Sequence, residues 1–286
     1  MSQENSQTTG LPTLSSSMIW MINFGFLGVK TAFTLQSSQM SRIFQTIGAD
    51  PNNLGWFFIL PPLAGLIVQP IIGYYSDRTW APKLGGRRLP YLLLGTIVAV
   101  IVMLLLPNSG SFGFGYGSLA ALWFGAITVA FLDLSSNVAM QPFKMMVGDM
   151  VNDDQKSYAY GVQSFLSNTG AVLAAIFPFL LTLMGVANKA PKGVVPQSVI
   201  ISFYVGAALL VITSLFTIFR VHEYDPATYA KYHGISEADN KEGGNWLTLL
   251  RHAPKAFWTV TLVQFFCWFA FQYLWTYSAG AIASNV

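Results

Sequence analysis

Apolar residues fall into seven long runs along the 286-residue chain, at roughly 17–42, 53–76, 90–107, 118–142, 157–185, 197–219 and 255–285. A hydrocarbon core about 30 Å thick is crossed by ~20 helical residues rising ~1.5 Å each. Open strand edges cannot be satisfied in lipid, so the pattern predicts seven transmembrane helices. Turn-rich segments divide them, such as PNSGSFGFGYG at 107–117 and NKAPKGVVPQ at 188–197. Pro61-Pro62, Pro70 and Pro178 mark expected kinks. The expected fold class is an all-α membrane protein.

The grouping of the runs is informative. Six spans at 17–219 are followed by a polar stretch, 220–254, that reads RVHEYDPATYAKYHGISEADNKEGGNW over most of its length. An interfacial piece, WLTLLRHAPKAFW, leads into a last span at 255–286. Six spans, a central loop and a fresh start is the arrangement of a two-fold repeat transporter. The expectation is therefore an N-terminal six-helix half plus the first helix of an incomplete second half. Residues 1–16 precede the first span without a Lys or Arg. A secretory signal opens with a basic region, so they are expected to form an unstructured lead-in rather than a cleaved peptide.

Composition agrees. The protein is 53% hydrophobic and only 9% charged, with a mean hydropathy of +0.50. In water such helices would expose apolar patches beyond what monomers tolerate, which makes the lipid bilayer the expected solvent. The net charge of +3 is scattered, which excludes nucleic acid as an expected partner. One cysteine, Cys267, leaves no disulfide framework and no zinc site, and no metal or cofactor is implied. With the N-terminus inside, eleven of the lysines and arginines fall on the cytoplasmic side. Only Arg42, Lys189 and Lys192 fall outside, so the expected setting is a cytoplasmic membrane with the N-terminus cytoplasmic. A retinal protein would need a lysine inside its last span, whereas Lys255 stands at the entrance. Paired histidines, G-x-S-x-G at a membrane face and a phosphate loop are all missing from the sequence, which argues against a membrane enzyme.

Between the second and third runs lies GYYSDRTWAPKLGGRRLPY, 73–91, where Asp77, Arg78, Lys83, Arg87 and Arg88 crowd together. Positive-inside topology explains the arginines but not Asp77 or the glycines. The pattern G-x-x-x-D-R … G-R-R-x-P, at Gly73, Asp77, Arg78, Gly86, Arg87 and Arg88, resembles the loop 2–3 signature of the major facilitator superfamily. That resemblance implies a cytoplasmic gate. Asp77 would face a helix N-terminus in the other half, and Arg78, Arg87 or Arg88 would pair with Asp149. Seven residues, TWAPKLG, separate Arg78 from Gly86, a departure from the common spacing.

The fourth run, FLDLSSNVAMQPFKMMVGD, resembles the L-D-x-x-x-N-x-x-x-Q-x-P stretch of the glycoside–pentoside–hexuronide cation symporters, here with the proline directly after Gln141. Together with GYYSDR and GRRxP it is similar to the sucrose/maltose-type branch of that group. The resemblance implies proton-coupled symport of a disaccharide or related glucoside, with proton (or sodium) and sugar as partners. Other facilitator-type carriers of a drug or metabolite, or an inactive fragment, are the alternatives.

Ionisable groups deep in a bilayer are costly unless paired or hydrated. Lys30 lies roughly 20 Å and Asp133 roughly 15 Å above the expected inner ends of their spans. A pair between them is therefore allowed by depth, with snorkelling of Lys30 into a wet cleft as the alternative. By the resemblance Asp133 would be the proton acceptor. Asp133, Asn137 and Gln141 recur at i, i+4 and i+8 and share one helical face, which lines either a cavity or an interhelical ladder. Asn23, Gln36, Gln39, Gln163, Asn168, Gln264 and Gln272 are further carboxamides suited to sugar hydroxyls, with Trp20, Trp56, Trp268, Trp275 and Tyr277 as possible stacking faces. Plant sucrose-type relatives also carry an arginine in span five, and this sequence has no cation between Lys156 and Lys189.

Overall fold

A computed structural model describes residues 10–49, 65, 68–234 and 251–285. The helices are α1 (Ser16–Thr46), α2 (residues 68–78), α3 (Leu89–Leu105), α4 (Leu119–Met150), α5 (Asp153–Leu183), α6 (Gln197–Arg220), α7 (Pro226–His233) and α8 (Lys255–Asn285). Among the described residues there is no strand, only an isolated bridge between Ala81 and Gly86. Five described helices are long and apolar enough to cross a membrane: Ser16–Thr46, Leu89–Ser109, Leu119–Met150, Asp153–Leu183 and Gln197–Arg220. The second expected span is described over residues 65 and 68–78, and Trp56 and Pro61-Pro62 lie outside the described residues, as do residues 235–250 of the central loop. Residues 234–286 form a separate unit, to which α8 belongs.

Helix ends follow local chemistry. Ser15, Ser118 and Asn152 each accept a hydrogen bond from a backbone N–H in the first turn of α1, α4 and α5. Hydropathy places the end of span four near 142, yet α4 continues to Met150 with Pro142 inside it. Hydropathy marks where the hydrocarbon stops, while a helix continues into water wherever its backbone remains satisfied.

Helix α1 packs against α4, α5 and α6, and α3 packs against α4 and α6. Without a hydrophobic force between helices in lipid, close approach at small residues supplies the contact. A Cβ on Gly28 would fall 2.7 Å from the Leu210 Cα of α6, and one on Gly95 would fall 2.7 Å from the Ala139 nitrogen of α4. A Cβ on Gly170 of α5 would overlap the Leu27 carbonyl oxygen of α1. Hydroxyls bridge the same seams: Thr31 Oγ1 donates to the Gly170 carbonyl at 3.3 Å, and the Gly25 N–H donates to Thr217 Oγ1 at 2.9 Å. Phe44, Phe143, Phe203, Leu35 and Met103 fill the interior, and Leu94, Ile97 and Ile101 are exposed on α3.

Composition predicts an unstructured lead-in, but residues 10–15 are tied to the α4–α5 turn. The Leu14 N–H donates to Gln155 Oε1 and Gln155 Nε2 donates back to the Leu14 carbonyl, both at 2.8 Å. Asn152 Nδ2 donates to the Leu11 carbonyl at 2.7 Å. Composition alone could not reveal this, because the bonds are long-range.

Gly170→Ala should destabilise the helical unit by about 1–3 kcal/mol through overpacking. Gly161→Ala on the same helix meets no atom within 4 Å and should leave stability unchanged or raise it by under about 1 kcal/mol. Thermal unfolding of both variants in detergent checks the contrast.

Candidate functional site

Where the start of α3 meets the ends of α2 and α4, Arg88 is the hub. Its side chain is 5% exposed, and its Nη2 lies 2.5 Å from Asp77 Oδ1 and 3.1 Å from Asp149 Oδ2. Its Nε donates to the same Asp149 oxygen at 3.1 Å, and its Nη1 donates to Ser76 Oγ at 2.5 Å. Arg87 Nη2 stands 2.9 Å from Asp149 Oδ2 as an ion pair, although its buried N–H lacks hydrogen-bond alignment. The Arg87 guanidinium also stacks on the Tyr229 ring of α7 at 3.7 Å. Burial works against charge on Arg87, but Asp149 and Tyr229 outweigh it and hold the group above its ordinary value. Of the three arginines offered to Asp149, Arg87 and Arg88 reach it. Arg78 turns back onto its own helix, 3.6 Å over the Tyr74 ring.

Glu223, three residues beyond α6, completes this cluster. Its Oε1 accepts the Arg88 N–H at 2.9 Å and the Leu89 N–H at 3.1 Å, capping the start of α3. The Glu223 N–H donates to the Gly85 carbonyl at 2.8 Å. A Cβ on Gly86 would overlap the carboxylate, so only glycine admits it there. Burial pushes the Glu223 carboxyl up from its usual value, and backbone N–H groups and Arg88 oppose that rise in part.

The second polar group lies deep among α1, α2 and α4. Gln36 Nε2 donates to Asp133 Oδ1 at 3.5 Å, and Asn137 Nδ2 donates to Asp133 Oδ2 at 2.9 Å. Gln69 Nε2 of α2 donates to Asn137 Oδ1 at 2.8 Å. The carboxylate and its two partners are all buried: Gln36 at 2%, Asp133 at 5% and Asn137 at 7% exposure. The ladder reading holds for Asp133 and Asn137. Gln141, next on that face, is half-buried and makes no side-chain hydrogen bond among the described residues.

Lys30 does not pair with Asp133. Its ammonium lies 4.9 Å from the centre of the Phe33 ring. Depth alone admits the pair, but face decides it. Lys30 and Gln36 are six positions apart, which at ~100° per residue turns Lys30 about 120° around the helix from Gln36. Asn23 and Gln163 meet each other, with Gln163 Nε2 donating to Asn23 Oδ1 at 3.0 Å and to the Phe143 carbonyl at 3.2 Å. Both are buried and bolt α1 to α4 and α5. Asn168 bonds Ser164 on its own helix and lines a cavity of about 480 Å³. Gln264 lies on α8, and the side chains of Gln272 and Trp275 lie outside the described set.

The sequence pattern of one family, MFS/sugar transport protein, matches residues 20–283. The chain belongs to this family. Similar proteins include the sucrose transport protein SUC4 of Arabidopsis thaliana, 24% identical over 261 residues that cover 84% of this chain and 49% of that protein. The sucrose transport protein SUT5 of Oryza sativa subsp. indica is 26% identical over 279 residues, covering 85% of this chain and 49% of that protein. The sucrose transport protein SUT1 of Oryza sativa subsp. japonica is 28% identical over 135 residues, covering 43% and 25%. The chain spans about half the length of the curated relatives SUC4 and SUT5. The family is a multi-pass membrane one, and five described helices are long and apolar enough to cross a membrane.

Sequence reasoning missed Ser76, Glu223, Tyr229 and Gln69. Gln69 had a signal, being the one carboxamide within the interior of the 53–76 run. Glu223 and Tyr229 had none, since they reach Arg87 and Arg88 only by folding back from the segment after span six.

Asp149→Asn takes the carboxylate shared by Arg87 and Arg88, leaving Arg88 with Asp77 and Arg87 without an ion pair among the described residues, and should cost on the order of 3 kcal/mol. The half-exposed Asp77 should cost under about 1 kcal/mol when changed to Asn. Chemical unfolding of the two variants compares them. Glu223 adds a pH dependence. Its carboxyl titrates above the ordinary 4.5 in the folded protein, so its contribution to stability is complete below that pH and is lost as pH rises through the raised value. Glu223→Gln should therefore match the wild type at the acid end and gain on it as pH rises, read as the difference in Tm across the series.

Proposed function

We propose that the protein carries a disaccharide of the sucrose or maltose type across a membrane in symport with a proton. The observation that carries this reading is Asp133, a carboxylate buried at mid-span and bonded, among the described residues, by carboxamides alone. A group so placed binds and releases a proton as its surroundings alternate between hydrated and occluded. Membership of a sugar-transport family and relatives named as sucrose transport proteins support the sugar class.

In this reading the half-bundle of residues 17–219 supplies one wall of the substrate path, with 1–16 and 220–254 on the cytoplasmic side and 255–286 opening the second half. Gln141 and Asn168, which are not committed to other helices, are the carboxamides of this half available to sugar hydroxyls, and Gln264 and Gln272 are those of the last helix. Asn23 and Gln163 hold the wall in shape. Asp77, Arg87, Arg88 and Asp149 form the inner latch, with Gly73 and Gly86 giving it room. Lys30, half-buried against Phe33, is not the partner of Asp133. The surrounding membrane is the cytoplasmic one, with the N-terminus inside.

The test is external pH in lightly buffered, de-energised cells making the protein, recorded on addition of sucrose or maltose. Prompt alkalinisation with one sugar is the expected result, and Asp133→Asn should abolish it at equal membrane abundance. Alkalinisation that persists in the Asn variant would sink the assignment of Asp133. No response to either sugar would remove the disaccharide from the reading.

A further inference from the structure

The bonds around Asp133 are unequal in a way that singles out one partner. Asn137 is held at both ends. Its Nδ2 donates to the Asp133 carboxylate and to the Asp133 carbonyl, both at 2.9 Å, while its Oδ1 accepts from Gln69. Turning that amide over would break three bonds at once. Gln36 is held at one end only, by the long 3.5 Å bond from Nε2 to Asp133 Oδ1. Its Oε1 is buried and has no hydrogen-bond partner among the described residues. Every described partner of the carboxylate is thus a donor, as an ionised acid requires. The spare acceptor sits on the partner that a single hydrogen bond holds.

Resting on the reading of Asp133 as proton acceptor, we propose that Gln36 is the positioning residue that senses the proton, inverting its carboxamide when Asp133 Oδ1 becomes protonated. The exchange balances atom for atom. A proton adds to Oδ1, and the acid then presents an O–H donor where it had presented an acceptor. The Nε2–H···Oδ1 bond breaks, Gln36 turns half a revolution about its terminal torsion, and an Oδ1–H···Oε1 bond forms. The terminal torsion of glutamine is broad and roughly two-fold, so the turn meets no steep rotameric barrier. An O–H···O bond is shorter than the N–H···O bond it replaces, so α1 is drawn toward α4 in the protonated state. The buried acceptor that lacks a partner in the ionised state gains one.

Among the described residues no charged group competes for this role. Of the charged residues on α1, Lys30 lies against Phe33 and Arg42 bonds Asn188. On α4, Asp149 is held by Arg87 and Arg88, and Lys144 is exposed and makes no ion pair with a described residue. The described part of α2 faces Asp133 only through Gln69 and Asn137.

The experiment is infrared difference spectroscopy of the protein in lipid vesicles between acid and neutral pH. The wild type should show a carboxylic acid carbonyl band appearing on acidification together with a shift of a glutamine amide carbonyl band. Gln36→Met, similar in size but unable to accept or donate strongly, should lose the glutamine shift and keep the carboxylic band. Asp133→Asn should lose both. If Gln36→Met does not insert, Gln36→Asn serves in its place, since the glutamine band must then vanish and an asparagine band replace it. A glutamine shift that survives removal of Gln36 would overturn the proposal while leaving Asp133 as the acceptor. A carboxylic band that survives in Asp133→Asn would overturn the reading of Asp133 itself, and the proposal with it.

Discussion

A polar side group in hydrocarbon has no water to fall back on, so each must find its partner within the protein or face a hydrated path. That constraint organises this half-bundle. Asn23 and Gln163 direct their hydrogen bonds to each other and to backbone carbonyls, and in doing so fix α5 against α1 and α4. Thr31 and Thr217 close other seams in the same way, beside glycines whose missing side groups let the backbones meet. Close packing and polar satisfaction are here one device, because hydroxyls and amides reach across only where helices nearly touch.

The same constraint explains why the two polar clusters behave differently. At one end of the helices, charges meet charges: Arg88 bridges Asp77 and Asp149, Arg87 adds to Asp149, and Glu223 caps α3 from the segment after α6. These contacts join the end of α2, the start of α3 and the end of α4 to the segment beyond α6. At mid-span the carboxylate of Asp133 meets carboxamides, which neutralise nothing. An acid surrounded by neutral donors can change its protonation state without stranding a buried counter-ion, whereas Asp149 cannot. The two clusters therefore differ in their neighbours, charged in one and neutral in the other.

The sequence by itself determined a helical membrane protein, with five of its expected spans among the described helices, and the positions of Asp77, Asp133 and Asp149. Hydropathy follows from each residue's own chemistry, and Asp133–Asn137 and Arg87–Arg88 are local enough for helical period and loop position to expose them. It overestimated Lys30 as a partner, because depth along a helix is legible from numbering while the facing of two separate helices is not. It also left residues 10–15 loose and ended span four eight residues early, since hydropathy registers lipid and not the hydrogen bonds made beyond it. Only the tertiary structure decided that Gln36 and not Lys30 meets Asp133, that Arg78 stays away from Asp149, and that Glu223 joins the cluster around Arg88. The contacts that decide these points join residues tens of positions apart, and a local pattern holds no record of which distant group the packing will bring within reach.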